Sequence, residues 1–462
     1  MAPTISAPDA SRKPGSFATL RPVIATVVLA VLLGVVIAID PWLGAACFMG
    51  LVALTRVARS GTFAVSAFLF ASYAEVVAQS SGFSPIKLMG VALIVTAVAL
   101  VLQPVAGSRR VAWFAHPIIV LSLAAYVVIA IASFTWAEDI GQVRILGLRI
   151  AADAAVFLAI TMMVRRERQL LILGWVALAG AFASTVYGLV SGANIAERFI
   201  GASLDPNEYA ALVVPSLGLA YGAVTAARSR MTTVLGWSGM ALCIWGLAAS
   251  QSRGGLVGMF VLLFVLIATA RGQELRRMLA AGAVVSALLL GYVAVTPAGD
   301  ALRHRIVATD SSGRTDLWRV AWNMAEAHPF IGIGLGNFPV LSARYLDPGV
   351  QHVELFVGAP RAVHNAPLEV LAELGLLGLA SIITFVLGCV TVLVRSVRVA
   401  RRHCSAQLHR MGRSILAALL SVLGTNMFLS GQYQEMLWVL LALALAYAAI
   451  VASARADMHA HE

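Results

Sequence analysis

Three groups of polar residues in this chain have the types and spacing to act on a phosphate and a hydroxyl. The first is His364-Asn365, standing immediately before an apolar run that opens near Pro367. Imidazole titrates near neutrality, so His364 is the best general-base candidate. The second is Ser250-Gln251-Ser252-Arg253-Gly254-Gly255, read as the whole turn between two apolar runs. Its glycines leave the backbone open to a close ligand, and the next helix start adds partial positive charge and free N–H groups. Arg253 therefore reads as part of a phosphate seat. The third is Arg314, spaced i, i+4, i+8 with Trp318 and Trp322 on a short amphipathic helix over 312–326. Trp favours the headgroup interface, so this helix is expected to lie on the membrane with Arg314 gripping a lipid phosphate.

Other polar residues surround these three. Arg198 precedes Asp205-Pro206-Asn207, where Asp205 caps a helix opening at Pro206 and Asn207 stands just inside an apolar run. Gly332, Gly334 and Gly336 alternate after His328-Pro329, which predicts a tight turn of special conformation, not a strand. Glu369 and Glu373 are one turn apart and enter the run after Pro367 on one face; carboxylates there need a partner in protein or water. Each key residue also has a plainer reading: Asp205 as a cap only, Arg253 snorkelling to the surface, His364 anchoring its loop.

The elements that must hold these residues are membrane spans. Of 462 residues 60% are hydrophobic and 12% charged, and apolar runs long enough to cross about 30 Å of hydrocarbon recur along the chain. The fold class is all-α, a polytopic integral membrane protein of 12–14 transmembrane helices. Candidate spans fall at 22–39, 42–55, 62–79, 86–103, 116–134, 145–163, 170–190, 207–226, 232–250, 255–270, 279–296, 368–394, 414–430 and 434–451. The run Val23–Ile39 follows Arg12, Lys13 and Arg21 but lacks a small-x-small cleavage site, and reads as an uncleaved first helix.

Placing both termini in the cytoplasm puts 22 of the 33 Lys and Arg residues on that side, in turns such as Arg165/Arg166/Arg168 and Arg395 to Arg413. One long segment, 297–367, then faces outward with six Arg and six acidic residues. The expected organisation is a disordered cytoplasmic N-terminus (1–21), a first membrane block (22–296), an outer catalytic loop (297–367), a second block (368–452) and a cytoplasmic tail (453–462). The net charge of +11 is thus a topological signal directed at anionic headgroups, not at nucleic acid. None of Cys47, Cys243, Cys389 or Cys404 lies in an outer loop, so no disulfide framework is expected. No Cys/His cluster has metal-site spacing, His352 and His364 being twelve apart, and no cofactor is expected.

Over about 200–385 the chain resembles the O-antigen ligase/polymerase superfamily of Wzy-C type. The marks are Asp205-Pro206-Asn207, Ser252-Arg253-Gly254, Arg314-x3-Trp318, Pro329-x2-Gly332-x-Gly334, and His364-Asn365 with Leu368-Glu369 and Glu373-x-Gly375. The resemblance implies a GT-C-like helical fold in the bacterial inner membrane. It implies metal-independent, inverting transfer of a glycan from an undecaprenyl-diphosphate carrier to an acceptor glycan or glycolipid on the outer face. The family's two functional arginines and its histidine correspond to Arg253, Arg314 and His364, and Arg198 joins them as a further diphosphate contact. Asp205, Asn207, Trp318, Asn365, Glu369 and Glu373 are expected to support them. A polymerase of lipid-linked repeats and a protein O-oligosaccharyltransferase share every one of these residues.

A transporter is the reading from another class. Transporters commonly show two related halves with charges near the midplane, whereas this chain has no clear repeat and gathers its polar groups at one face. Glu75, Arg149 and Asp153 are exceptions, and Asp153 is expected to pair with Arg149 one turn away.

Overall fold

A computed structural model of the chain describes residues 61–74, 116–276, 313–357, 361–431 and 434–459, with parts of 84–94 and 279–291. The expected spans 22–39 and 42–55, most of 86–103 and 279–296, and the N-terminal segment 1–21 lie outside the described residues, whereas the tail expected from 453 is not separate, since the last helix runs on to His459. The described chain is built of helices α1 (Gly61–Ala71), α2 (Pro117–Ala132), α3 (Ile140–Met163), α4 (Glu167–Ser191), α5 (Pro206–Thr225), α6 (Arg230–Ser250) and α7 (Arg253–Thr269). After these come α8 (Arg314–Ala327), the single turn α9 (Phe338–Leu341), α10 (Ala366–His403), α11 (Ala406–Thr425) and α12 (Glu435–His459). Among the described residues the one sheet is an antiparallel pair, Asn194–Ile195 with Arg198–Phe199. The protein is an all-α, polytopic membrane fold.

Six of these helices, α2, α3, α4, α6, α10 and α12, are long and apolar enough to cross a membrane, and α1 and α7 are shorter apolar helices. Position in the bundle follows from which faces are apolar. α5 is buried along nearly its whole length and packs against α4, α6, α7 and α11. α12 is equally enclosed, with Met436 to Tyr447 shut in among α3, α10 and α11. α2 and α10 pack together at the periphery and turn Ile118, Leu121, Val128, Ile383 and Leu387 outward. A helix that is apolar all round suits either place, the core or the lipid.

Three local expectations need correction. The span expected at 414–430 is α11, capped by Ser405 and ended at Thr425. Its polar first turns enter the bundle because Arg413, placed by sequence in a basic surface turn, is only 3% exposed. Arg413 donates to Glu274 Oε2 at 2.7 Å, to the Leu266 carbonyl at 2.9 Å and to Thr269 Oγ1 at 2.9 Å, while the Tyr221 hydroxyl donates to Glu274 Oε1 at 2.9 Å. Arg149 forms its ion pair with Glu435 at 3.1 Å, tying α3 to α12, not with Asp153. Asp153 is buried nearby, and its Oδ2 has no hydrogen-bond partner among the described residues. Finally, α7 begins at Arg253, so the turn before it is shorter than the six residues expected.

The segment between α7 and α10 is tied to the bundle at a break in α10. At Gly375 the backbone leaves the helix (φ 64°, ψ −166°). The amides and carbonyls freed there would cost several kcal/mol each in an apolar surround, and the glycine turn satisfies them. Leu376 N–H donates to the Pro329 carbonyl at 2.8 Å and Leu377 N–H to the Phe330 carbonyl at 3.1 Å. In return Ile333 N–H donates to the Ala372 carbonyl at 3.1 Å and Gly334 N–H to that of Glu373 at 2.8 Å. The Glu373 carboxylate completes the joint by accepting from Gly336 N–H at 2.8 Å and Phe338 N–H at 3.2 Å. Asn337, fully buried, holds the far side through Asp139: its Oδ1 accepts from Asp139 N–H at 2.8 Å.

The alternate glycines follow from this joint. Gly332, Gly334 and Gly336 all have positive φ (66°, 105° and 71°). A Cβ on Gly332 would meet the Glu373 backbone, which cannot move aside as a side-chain end would. Gly332→Ala is therefore expected to lower stability by about 1–3 kcal/mol, read as a fall in Tm of the purified protein in detergent. An unchanged Tm would mean that the turn does not support α10.

Candidate active site

The polar groups lie at one end of the bundle, where α5, α7 and α10 begin and α6 and α11 end. At the start of α5, Asp205 is the N-cap and its Oδ1 accepts from Asn207 N–H at 2.7 Å, as the Asp-Pro-Asn spacing predicts. Pro206 at the first helical position loses no needed donor. Asn207 Oδ1 accepts from two neighbours, Ser252 Oγ at 2.8 Å and Arg198 Nη2 at 3.2 Å. Arg198 Nε also donates to the Ser250 carbonyl at 3.0 Å. One asparagine side chain thus joins the hairpin carrying Arg198 to the turn that carries Arg253. Ser252 is in its turn the N-cap of α7, accepting from Gly255 N–H at 3.1 Å, and Arg253 is the first residue of that helix.

α8 does not simply lie on a membrane surface, as its spacing suggested. Leu317, Val320, Ala321 and Met324 form a small core with Phe338, Leu341 and Ala372, and α8 packs against α10. Arg314 opens the helix after Gly313, whose φ of 73° suits its glycine. Trp318 turns inward, its ring 6.4 Å from that of Phe428 and its Nε1 buried without a hydrogen-bond partner among the described residues. Trp322 is exposed and donates to Glu326 at 2.8 Å. The two tryptophans of the expected face therefore have different surroundings.

Asp316 secures the segment after α8. Its Oδ2 accepts from His352 N–H at 2.8 Å, from Gln351 N–H at 3.0 Å, and meets His352 Nδ1 at 2.8 Å. Burial favours the neutral acid, but these hydrogen bonds outweigh it and hold the carboxyl below its ordinary range. His352 is thus a partner of Asp316. Among the described residues no group of three His, Cys, Asp or Glu side chains could hold a metal ion.

His364 sits where these pieces meet. Its φ of 55° is left-handed, an uncommon conformation for a residue with a Cβ. Asn365 follows as the N-cap of α10, accepting from Leu368 N–H at 3.1 Å. The turn after α11 holds the whole junction: Asn426 carbonyl accepts from Ala366 N–H at 3.0 Å, and Ser430 Oγ from His364 N–H at 3.0 Å. The same turn carries Phe428, which faces Trp318, and a Cβ on Gly254 would lie 3.3 Å from Phe428 Cβ. His364 Nδ1 is buried with no hydrogen-bond partner among the described residues. Burial lowers the pKa of the ring, the Arg314 guanidinium lowers it further, the Asp205 carboxylate opposes them, and Arg361 adds to the lowering. The imidazole is accordingly neutral at pH 7, the form that accepts a proton.

Arg198, Asp205, Asn207, Arg253, Arg314, Trp318, His364 and Asn365 thus stand on the segments that meet at this end, whereas Arg149 and Asp153 lie within α3 and Trp322 faces outward. Glu369 and Glu373 are both buried on the first turns of α10, but they have different surroundings: Glu373 holds the glycine turn, while Glu369 neighbours Ser430. Sequence reasoning missed Phe428, Ser430 and Arg361. The signal for the first two was Asn426 and Ser430, polar residues spaced four apart at the end of an apolar run.

No curated protein matches this chain. One family model does, and its match runs from within α6 to within α10, taking in Arg253, Arg314, His364, Glu369 and Glu373 and leaving out Arg198, Asn207 and Ser430. Residues 238–383 of the chain match the O-antigen ligase family, Wzy_C.

Proposed function

We propose that this protein is an O-antigen ligase-like glycosyltransferase. It moves a glycan from a polyprenyl-diphosphate carrier, undecaprenyl diphosphate in a bacterial inner membrane, to a hydroxyl of an acceptor glycan or glycolipid. The observation that carries this reading is the meeting at one bundle end of a half-buried histidine, whose Nδ1 has no hydrogen-bond partner among the described residues, with the helix starts of Arg253 and Arg314. The match to the O-antigen ligase family over 238–383 supports the same chemistry.

In the reaction, the acceptor oxygen attacks the anomeric carbon on the face opposite the diphosphate, with inversion. His364 takes the hydroxyl proton as the new C–O bond forms. The bond from the anomeric carbon to the phosphate oxygen breaks, and the electron pair leaves with the diphosphate. Arg253 and Arg314, with Arg198 behind Asn207, neutralise that growing charge through charge-assisted hydrogen bonds. The first N–H groups of α7 add the partial positive charge of a helix start.

A lipid-borne donor suits a site at the end of spanning helices, since its tail stays in the bilayer while its diphosphate reaches the arginines. The arginine distribution along the sequence supports cytoplasmic termini and an outward, periplasmic site within 297–367. The test is proteoliposomes of the purified protein given radiolabelled undecaprenyl-diphosphate-linked saccharide with lipid A core, with a second lipid-linked saccharide, or with a protein acceptor. Label on the lipid A core is expected. A ladder of longer lipid-linked glycans would make the protein a polymerase, and label on protein side chains an oligosaccharyltransferase. Arg253→Ala and Arg314→Ala are each expected to slow transfer by about 10²–10³-fold. Transfer at the wild-type rate in both would remove the arginines from the mechanism.

A further inference from the structure

We infer that Ser430 and Glu369 are positioning residues for His364, a hydroxyl–carboxylate brace that sets the conformation of the general base. This rests on the assignment of His364 as the base. Ser430 stands outside the matched residues 238–383 and comes from the turn between α11 and α12.

The geometry fixes the roles of the three groups. A main-chain N–H can only donate, so the 3.0 Å bond from His364 N–H makes Ser430 Oγ an acceptor. The hydroxyl hydrogen is then free to be donated, and the neighbouring Glu369 side chain on the first turns of α10, on which Ser430 acts, is the acceptor assigned to it. Glu369 is 5% exposed, and its Oε2 has no hydrogen-bond partner among the described residues. Its link is to Ser430, in contrast to Glu373, which accepts from two amides. A buried carboxyl with a single partner makes that bond costly to lose.

What the brace holds is a strained residue. A left-handed conformation at a non-glycine costs of order 1–3 kcal/mol and persists only where its surroundings enforce it. Asn365 begins α10 directly afterwards, so His364 has no helical amide bond of its own. The contact that fixes its N–H is Ser430, and Ser430 is oriented by Glu369. Without the hydroxyl, the backbone at 364 is free to relax toward negative φ. The ring then swings away from Arg314 and Asp205, the groups that act on it in the folded site.

The experiment compares Ser430→Ala, Ser430→Thr, Glu369→Leu and Glu369→Gln with wild type and His364→Ala, all as full-length protein. Two readouts are used: kcat and KM for labelled undecaprenyl-diphosphate-linked saccharide, and the His364 ring titration by NMR of histidine-labelled protein. Ser430→Ala and Glu369→Leu are expected to lose about 10²-fold in kcat, with KM unchanged and the ring titrating closer to its ordinary 6.5. Ser430→Thr and Glu369→Gln keep a hydroxyl and an acceptor, and are expected to restore both readouts. Wild-type kcat and ring titration in Ser430→Ala would overturn the brace, as would equal losses in Ser430→Thr. The ring titration needs no substrate, so it decides the brace even if the acceptor is misassigned. Full activity in His364→Ala would instead overturn the base assignment, whatever the Ser430 variants do.

Discussion

Replacing His364 by alanine is expected to slow glycan transfer by about 10²–10⁴-fold, the usual range for loss of a positioned general base. The effect should fall on kcat, because the diphosphate contacts proposed for Arg253 and Arg314 are left in place. The pH dependence gives a second reading of the same group. Burial, Arg314 and Arg361 hold the imidazole below its ordinary 6.5, against Asp205. The active form is the neutral one, so activity is lost as pH falls through the lowered value. The acid limb of kcat is therefore expected below pH 6.5, and it should be missing from the residual activity of His364→Ala. The pH profile of purified protein in proteoliposomes checks this. An acid limb at or above the ordinary histidine value, or one that survives in His364→Ala, would assign the proton transfer to another residue.

Arg413→Ala is expected to cost about 3 kcal/mol of stability, and it touches no part of the site. Breaking a buried ion pair by removing one partner typically costs about 3–5 kcal/mol. The lower end applies because Glu274 keeps 30% of its side chain exposed and can rehydrate. The substitution also removes the donors of the Leu266 carbonyl and Thr269, which end α7. The Tm of the variant in detergent should fall by several degrees, and part of the loss should return in Arg413→Met with Glu274→Gln. That pair fills the space and leaves no lone charge. A Tm equal to wild type in Arg413→Ala would show that α11 and α7 are held by apolar packing alone.

Much of the architecture was written in hydropathy. Runs of apolar residues identified all six spanning helices, α2, α4 and α6 closely, while α3 starts earlier and α10 and α12 run on further than expected, because length and composition decide whether a helix can span but not where its polar ends stop. Caps were equally readable: Asp205 before Pro206 and the glycines at 332, 334 and 336 behave as their chemistry requires. The errors share one cause. Arg413 and Arg149 were assigned by their nearest neighbours in sequence, yet their partners Glu274 and Glu435 are 139 and 286 residues away. Ser430 was passed over for the same reason, since its partner His364 lies 66 residues earlier. Local patterns reveal which residues are costly to bury, but the partner that makes burial tolerable is chosen by the fold.

The interrupted α10 bears on how this region can be exchanged or inherited. Four main-chain hydrogen bonds and the two to the Glu373 carboxylate cross between 329–338 and 372–377. The main-chain contacts depend on backbone shape and on glycines, and the other two require one side chain, Glu373. The two stretches therefore form one indivisible joint, although about thirty-five residues separate them in sequence. A chimera that takes only 329–338 or only 372–377 from a differently shaped protein leaves open backbone groups in the middle of a spanning helix. One that takes both keeps the joint closed while the chain between them varies around His364, Asn365 and Glu369, which lie within it. Sequence between the two stretches can thus vary without opening the joint that interrupts α10.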